Sequence, residues 1–178
     1  MANPKSKIQN PKSAGRQLER VTSSVEETQA VGEQLGQALR PGDVVALRGE
    51  LGSGKTTLIQ GIARGLGRAP ESIKSPTFVL MREYSGEVPL IHIDGYRLEG
   101  APAASWLDLD LLFSPRKITL IEWAERFGEL LPDDRLEVHL EHVSTNRRRL
   151  TISGTGPRGQ AIISHLQEPQ PVDATPRD

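Results

Sequence analysis

Nine consecutive residues, Gly49-Glu50-Leu51-Gly52-Ser53-Gly54-Lys55-Thr56-Thr57, fit the pattern G-x-x-x-x-G-K-[ST], with Gly49, Gly54, Lys55 and Thr56 at the fixed positions. The spacing has a physical reason. Glycines let the backbone curl through positive φ, so that successive N–H groups converge on phosphate oxygens. In such a loop Lys55 reaches the β- and γ-phosphates of a nucleoside triphosphate, and the Thr56 hydroxyl is placed to hold Mg²⁺. Gly49, Leu51, Gly52, Ser53, Gly54, Lys55, Thr56 and Thr57 are therefore the first candidate binding residues.

The pattern needs a strand before it and a helix after it. Asp43-Val44-Val45-Ala46-Leu47-Arg48 is a short apolar run suited to a buried parallel strand, and Thr57 to Leu66 is apolar at helical spacing and closed by Gly67. The positive N-terminal end of that helix would face an anion. Two more strand-like runs end in acids: Leu90-Ile91-His92-Ile93-Asp94 and Ile118-Thr119-Leu120-Ile121-Glu122. Ligands of α/β sheets bind beyond the carboxyl ends of the parallel strands. Asp94 and Glu122 are thus candidates to hold Mg²⁺, directly or through water, or to orient the water attacking a γ-phosphate. A helix cap or a surface ion pair is the plainer alternative for each. Thr77, in Ser75-Pro76-Thr77, is a candidate γ-phosphate sensor on a switch loop, or simply a turn residue after proline. Arg97 either pairs with Asp94 or touches phosphate, and Trp123 either stacks on a ring or fills the core. The four histidines show no metal-ligand spacing and read as structural.

The remaining sequence must position these groups. With 178 residues the chain has the length of one domain with a real core. A net charge of −1 supplies no global field toward nucleic acid or membrane, and the absence of cysteine excludes disulfides and cysteine zinc sites. No apolar run approaches the roughly 18 residues of a membrane span, and no signal-peptide core is present, so a cytoplasmic location is expected.

Residues 1–15 read as a disordered basic leader, with an RNA-contacting arm as the alternative; 16–166 as the catalytic domain; and 167–178 as a disordered proline-rich tail. Gln17–Thr22 is an expected edge strand. Ser24 and Glu27 have capping-box spacing for a helix ended by Pro41-Gly42. A strand is expected to run to Tyr84 and to form a hairpin with the strand ending at Asp94. A helix is expected over 106–113, another over 124–131, an antiparallel hairpin over 135–143 and 147–153, and a last helix over 159–166. Alternation in that hairpin puts Arg148 on the opposite side from Arg147 and Arg149.

Gly-Glu-Leu-Gly-Ser-Gly-Lys-Thr-Thr at 49–57, Ser-Pro-Thr-Phe at 75–78, His-Ile-Asp-Gly-Tyr-Arg-Leu at 92–98 and Ile-Glu-Trp at 121–123 occur together in this order. The combination closely resembles the TsaE family, small bacterial ATPases of tRNA threonylcarbamoyladenosine (t6A) biosynthesis. The resemblance covers roughly 20–155. It implies a three-layer α/β/α P-loop NTPase sandwich with a mainly parallel sheet. It implies ATP and Mg²⁺ as cofactors, with hydrolysis coupled to TsaD and TsaB, so that tRNA is met only through the complex and the ATPase resets it. By position it implies Lys55, Thr77, Asp94 and Glu122 in catalysis, and Thr56 with Glu122 on the metal. It also brings Glu27, Thr28 and Arg148 toward the nucleotide. The stretch Glu99 to Trp106, usually acidic and helical in the family, departs from it. A small-molecule or nucleoside kinase shares the phosphate loop and is the alternative, although no arginine-bearing lid is evident. A nucleotide-dependent binding module without useful turnover is a third reading.

Overall fold

The computed structural model describes residues 16–98 and 107–168. The expected leader, the departure after Leu98 with Trp106, and the tail beyond Glu168 lie outside the described residues.

The first strand, β1 (Gln17–Thr22), leads into α1 (Val25–Ala38). The helix starts where its capping residues dictate. Ser24 Oγ accepts the Glu27 N–H at 3.1 Å, and the Glu27 carboxylate accepts the Ser23 N–H at 2.6 Å. Then come β2 (Val44–Arg48), α2 (Lys55–Gly65), β3 (Met81–Tyr84), β4 (Leu90–Asp94), the single turn α3 (Leu109–Leu112), β5 (Ile118–Glu122), β6 (Leu136–His142), β7 (Arg148–Gly154) and α4 (Pro157–Gln167). No side chain from its own N-cap closes α4. Asp134 does so from outside, its two carboxylate oxygens accepting the Arg158 and Gly159 N–H groups at 2.9 Å each.

The strands form one mixed sheet in the order β1-β7-β6-β2-β5-β4-β3. The pairings of β2 with β6, β2 with β5 and β4 with β5 are parallel; those of β1 with β7, β6 with β7 and β3 with β4 are antiparallel. The expectation of a mainly parallel sheet is corrected accordingly: parallel pairing is confined to the centre and antiparallel hairpins occupy both flanks. Central strands β2, β4 and β5 are buried nearly throughout, which explains their apolar runs, interrupted before the last residue only at His92 and Thr119.

One face of the sheet, with Val45, Leu47, Leu90, Leu120 and Val138, packs under Leu35 of α1, Leu58, Ile59 and Ile62 of α2, and Ile162 and Ile163 of α4. The opposite face, with Val44, Ala46, Ile91, Ile93 and Ile121, is covered by Leu98, Leu112, Phe127 and Leu131, which come from short turns. Helices α1 and α2 touch through glycines. A Cβ at Gly32 would lie 2.3 Å from the Leu58 carbonyl oxygen, one at Gly36 2.2 Å from that of Ile62, one at Gly61 2.2 Å from that of Gln29, and one at Gly65 2.2 Å from that of Glu33. Contact positions advance together along both helices, so the two run parallel and start at the same end of the sheet.

Three expected elements are corrected. The strand toward Tyr84 begins only at Met81. Before it the chain turns: the Pro76 carbonyl accepts N–H groups from both Val79 and Leu80, and Leu80 takes a φ of 67°. An apolar run looked extended, but the tertiary pull on Ser75 and Thr77 described below curls it and leaves Phe78 exposed. Within 107–113 only Leu109–Leu112 is helical, capped by Asp108 through the Leu111 N–H at 3.1 Å. The expected helix over 124–131 is two 3-10 turns, Ala124–Arg126 and Gly128–Leu130, separated where Phe127 enters the core.

Candidate active site

The G-x-x-x-x-G-K-T loop joins β2 to α2 at the centre of the sheet. Its shape depends on two glycines in particular. Gly49 has a φ of 143°, and a Cβ there would lie 2.4 Å from the Leu140 carbonyl oxygen of β6, so no larger residue fits. Gly54, at φ 106°, turns the chain into the helix so that the first N–H groups of α2 point out of its end. Lys55 folds across the loop and donates from Nζ to the carbonyls of Gly49 and Glu50 at 2.7 and 2.9 Å. Its Nζ also sits 4.1 Å from the centre of the Trp123 ring. Burial holds the Lys55 pKa below its usual range; the nearby carboxylates of Glu122, Glu125 and Asp94 oppose that shift. Ser53 is fully buried, and its hydroxyl has no hydrogen-bond partner among the described residues.

The strand-terminal acids meet at this loop. Asp94 and Glu122 are directly paired in the β4–β5 register, so both carboxylates leave the sheet side by side. Thr56 Oγ1 donates to Glu122 Oε1 at 2.8 Å, and His92 Nε2 lies 2.9 Å from the same oxygen. Asp94 Oδ2 accepts the hydroxyls of Ser75, at 2.9 Å, and Thr77, while Oδ1 accepts the Tyr96 N–H at 2.9 Å. Thr77 therefore stands at the site, tied to it through Asp94. Leu51, Gly52, Gly54, Lys55, Thr56, Thr57, Ser75, Thr77, Asp94, Tyr96, Glu122 and Trp123 line a cleft of about 480 Å³, with His92 buried behind it. Trp123 has a φ of 56°, a strained conformation for a bulky residue, and tilts against Tyr96 with ring centres 5.2 Å apart.

A second cleft, of about 330 Å³, shares Gly52, Gly54 and Thr57 with the first. Its other walls are Ser23, Ser24, Val25 and Thr28 at the start of α1, and Asn146 and Arg148 of the β6–β7 hairpin. Thr28 is buried, with its hydroxyl 2.8 Å from that of Thr22. Arg148 lies on the α1 side of the hairpin, as alternation requires. Glu27 is exposed and is spent on capping α1 rather than on the wall.

The family model "Threonylcarbamoyl adenosine biosynthesis protein TsaE" matches residues 22–150. The chain belongs to the TsaE family. A Bacillus subtilis relative, named tRNA threonylcarbamoyladenosine biosynthesis protein TsaE, is 37% identical over 152 residues, covering 85% of this chain and 94% of that one. A relative of the same name from Streptomyces coelicolor is 39% identical over 136 residues, covering 72% and 90%. A crystal structure of Bacillus subtilis YdiB superposes with a TM-score of 0.73 at 34% identity, covering 86% of this chain and 96% of that one.

In this TsaE-family chain the structure brings the phosphate loop, Thr77, Asp94 and Glu122 to one cleft and Thr28 and Arg148 to its neighbour. Of the expected residues, Glu27, Gly49 and Ser53 stay out of both linings. Ser75, Tyr96 and Asn146 join the linings without having been expected there, and His92, expected to be structural, reaches Glu122. A signal for His92 was available: it lies two residues before Asp94, hence on the same face of β4 and diagonal to Glu122.

Proposed function

We propose that this TsaE-family chain is a P-loop ATPase of tRNA t6A biosynthesis, acting with TsaD and TsaB homologues and meeting tRNA only through that complex. The observation that carries the reading is the Thr56 Oγ1–Glu122 Oε1 hydrogen bond of 2.8 Å at the head of α2. It joins the last residue of the phosphate pattern to a strand-terminal acid. The names of the Bacillus and Streptomyces relatives support the pathway.

The residues present fit ATP and Mg²⁺. Among the described residues no cluster of three or more His, Cys, Asp or Glu side chains could hold a metal. Thr56 and Glu122 instead form the sparse oxygen set typical of Mg²⁺, which keeps waters and takes phosphate oxygens as its other ligands. Bound there, the ion would neutralise charge on the β- and γ-phosphates. The chain's own groups have separate tasks. N–H groups of Gly52 to Thr57 cradle the triphosphate. Lys55 leaves its two carbonyl partners for the β- and γ-oxygens. Thr77, tethered to Asp94, senses the γ-phosphate, and the start of α1 with Arg148 faces the nucleoside. The fold is then the three-layer P-loop sandwich, its second outer layer reduced to 3-10 turns and α3, and the cytoplasm is its place of action. Among the described residues no helix is long and apolar enough to cross a membrane.

ATP turnover by Lys55→Ala and Glu122→Ala, measured with and without the TsaD and TsaB homologues, tests the reading. Loss of turnover of at least 10²-fold is expected in both, since each removes a group that stabilises transferring phosphate. Turnover unchanged in both would overturn the site. A phosphorylated metabolite appearing in place of free phosphate would overturn the ATPase in favour of a kinase.

A further inference from the structure

We propose that His92 is the positioning residue for Glu122: it fixes one carboxylate oxygen so that the other faces the cation. The proposal rests on the reading of Glu122 as a Mg²⁺ ligand. His92 sits in the middle of β4, fully buried between Ile91 and Ile93. Its Nε2 approaches Glu122 Oε1 at 2.9 Å, and since a carboxylate only accepts, Nε2 carries the donated proton. Nδ1 is buried with no hydrogen-bond partner among the described residues.

That unpaired nitrogen is the telling observation. A buried polar atom without a partner is unfavourable, and Leu or Val at this position of an apolar strand would avoid it. Core packing therefore does not account for an imidazole here; the Nε2 contact does. The hydroxyl of Thr56 lands on the same Oε1 at 2.8 Å. Two donors on one oxygen lock the carboxylate's rotation and leave Oε2 as the oxygen offered to the cleft that Glu122 lines. Thr56 itself is a candidate metal ligand and moves with α2. His92 is anchored in the sheet and supplies a fixed reference. The role parallels the outer-shell groups that orient metal ligands elsewhere.

The test uses the full chain and Mn²⁺ as the probe, read by electron paramagnetic resonance in the presence of ADP. ADP affinity in EDTA is measured alongside. His92→Leu fills the strand but removes the donor, His92→Gln returns an N–H near the Nε2 position, and Glu122→Ala reports on the underlying assignment. For His92→Leu, Mn²⁺ affinity falls by about 10–100-fold, the range for loss of an outer-shell partner. Metal-free ADP affinity stays within about twofold of the parent, and His92→Gln recovers most of the loss. A structural role would instead lower both affinities together. If His92→Leu leaves Mn²⁺ affinity unchanged while Glu122→Ala lowers it, the positioning role is wrong and the metal assignment stands. If Glu122→Ala also leaves it unchanged, the metal assignment itself fails. Should His92→Leu not fold, His92→Asn, too short to reach Oε1, is compared with His92→Gln; equal Mn²⁺ affinities for these two overturn the proposal.

Discussion

Gly61→Ala is expected to loosen the nucleotide site without touching it. A Cβ at this position would lie 2.2 Å from the Gln29 carbonyl oxygen and 2.7 Å from Gln29 Cα, whereas ordinary contact begins at 3.4 Å. Both sides of the clash are backbone or Cβ, so no rotamer relieves it, and α1 and α2 must part by about 1.2 Å at this level. Overpacking of this kind costs about 1–3 kcal/mol. The better helix propensity of Ala offsets about 1 kcal/mol. With backbone on the far side of the clash the overpacking cost lies at the upper end of its range, about 2–3 kcal/mol. A net loss near 1–2 kcal/mol therefore remains, which lowers Tm by roughly 2–8 °C in a chain of this size. The functional effect is larger in proportion. Because the helices are parallel, their separation moves Ser24 and Thr28 away from Gly54 and Thr57 across the second cleft. A misplacement of about 1 Å in a positioned site can cost on the order of 10²-fold, and at least a tenfold loss of ADP affinity is expected. Differential scanning calorimetry and isothermal titration measure the two effects. Gln34→Ala, on the exposed side of α1, is the control and should stay within about 0.5 kcal/mol. An unchanged Tm would refute the steric reasoning. A lowered Tm with unchanged affinity would refute the coupling between helix spacing and the cleft.

Asp94→Ala removes the acceptor for Ser75, Thr77 and the Tyr96 N–H, so hydrogen exchange should accelerate over 75–80 by about tenfold or more while β2 amides keep their protection. Unaltered exchange over 75–80 would show that Asp94 does not hold the loop. Lys55 predicts two opposite pH slopes. Burial lowers its pKa in the folded chain, so between that lowered value and the ordinary one the unfolded chain binds more protons, and stability rises with pH. Phosphate binding favours the ammonium, so nucleotide affinity falls with pH over the same alkaline window. Lys55→Met should flatten both slopes in thermal melts and titrations; slopes that survive would assign them to other groups.

The central strands were readable because burial on both faces leaves a mostly apolar run, as in Leu90 to Ile93 and Ile118 to Ile121, broken only by His92 and Thr119. The start of α1 was readable because capping is local, Ser24 to Glu27. Phe78 to Leu80 misled for the opposite reason: its conformation is set by Asp94, a residue distant in sequence, which overrides an apolar pattern with high strand propensity. The helix expected after Ala124 gave way to 3-10 turns because Phe127 must reach the core beneath Gly95. At the site, residue types and spacing sufficed to expect a loop between a strand and a helix at 49–57 and two acids at the ends of strands. His92 already stood diagonal to Glu122, two residues before Asp94, but its contact with the Glu122 carboxylate across two strands is seen only in the structure.

The antiparallel pairing of Gln17–Thr22 with Arg148–Ser153 closes the sheet between distant stretches of chain. The second cleft draws its walls from 23–28, 52–57 and 146–148. During synthesis, at roughly 5–20 residues per second, the phosphate loop leaves the ribosome many seconds before the strand that completes this cleft. A nascent chain therefore carries the loop without its full surroundings, and the second cleft forms only on a late, long-range loop closure.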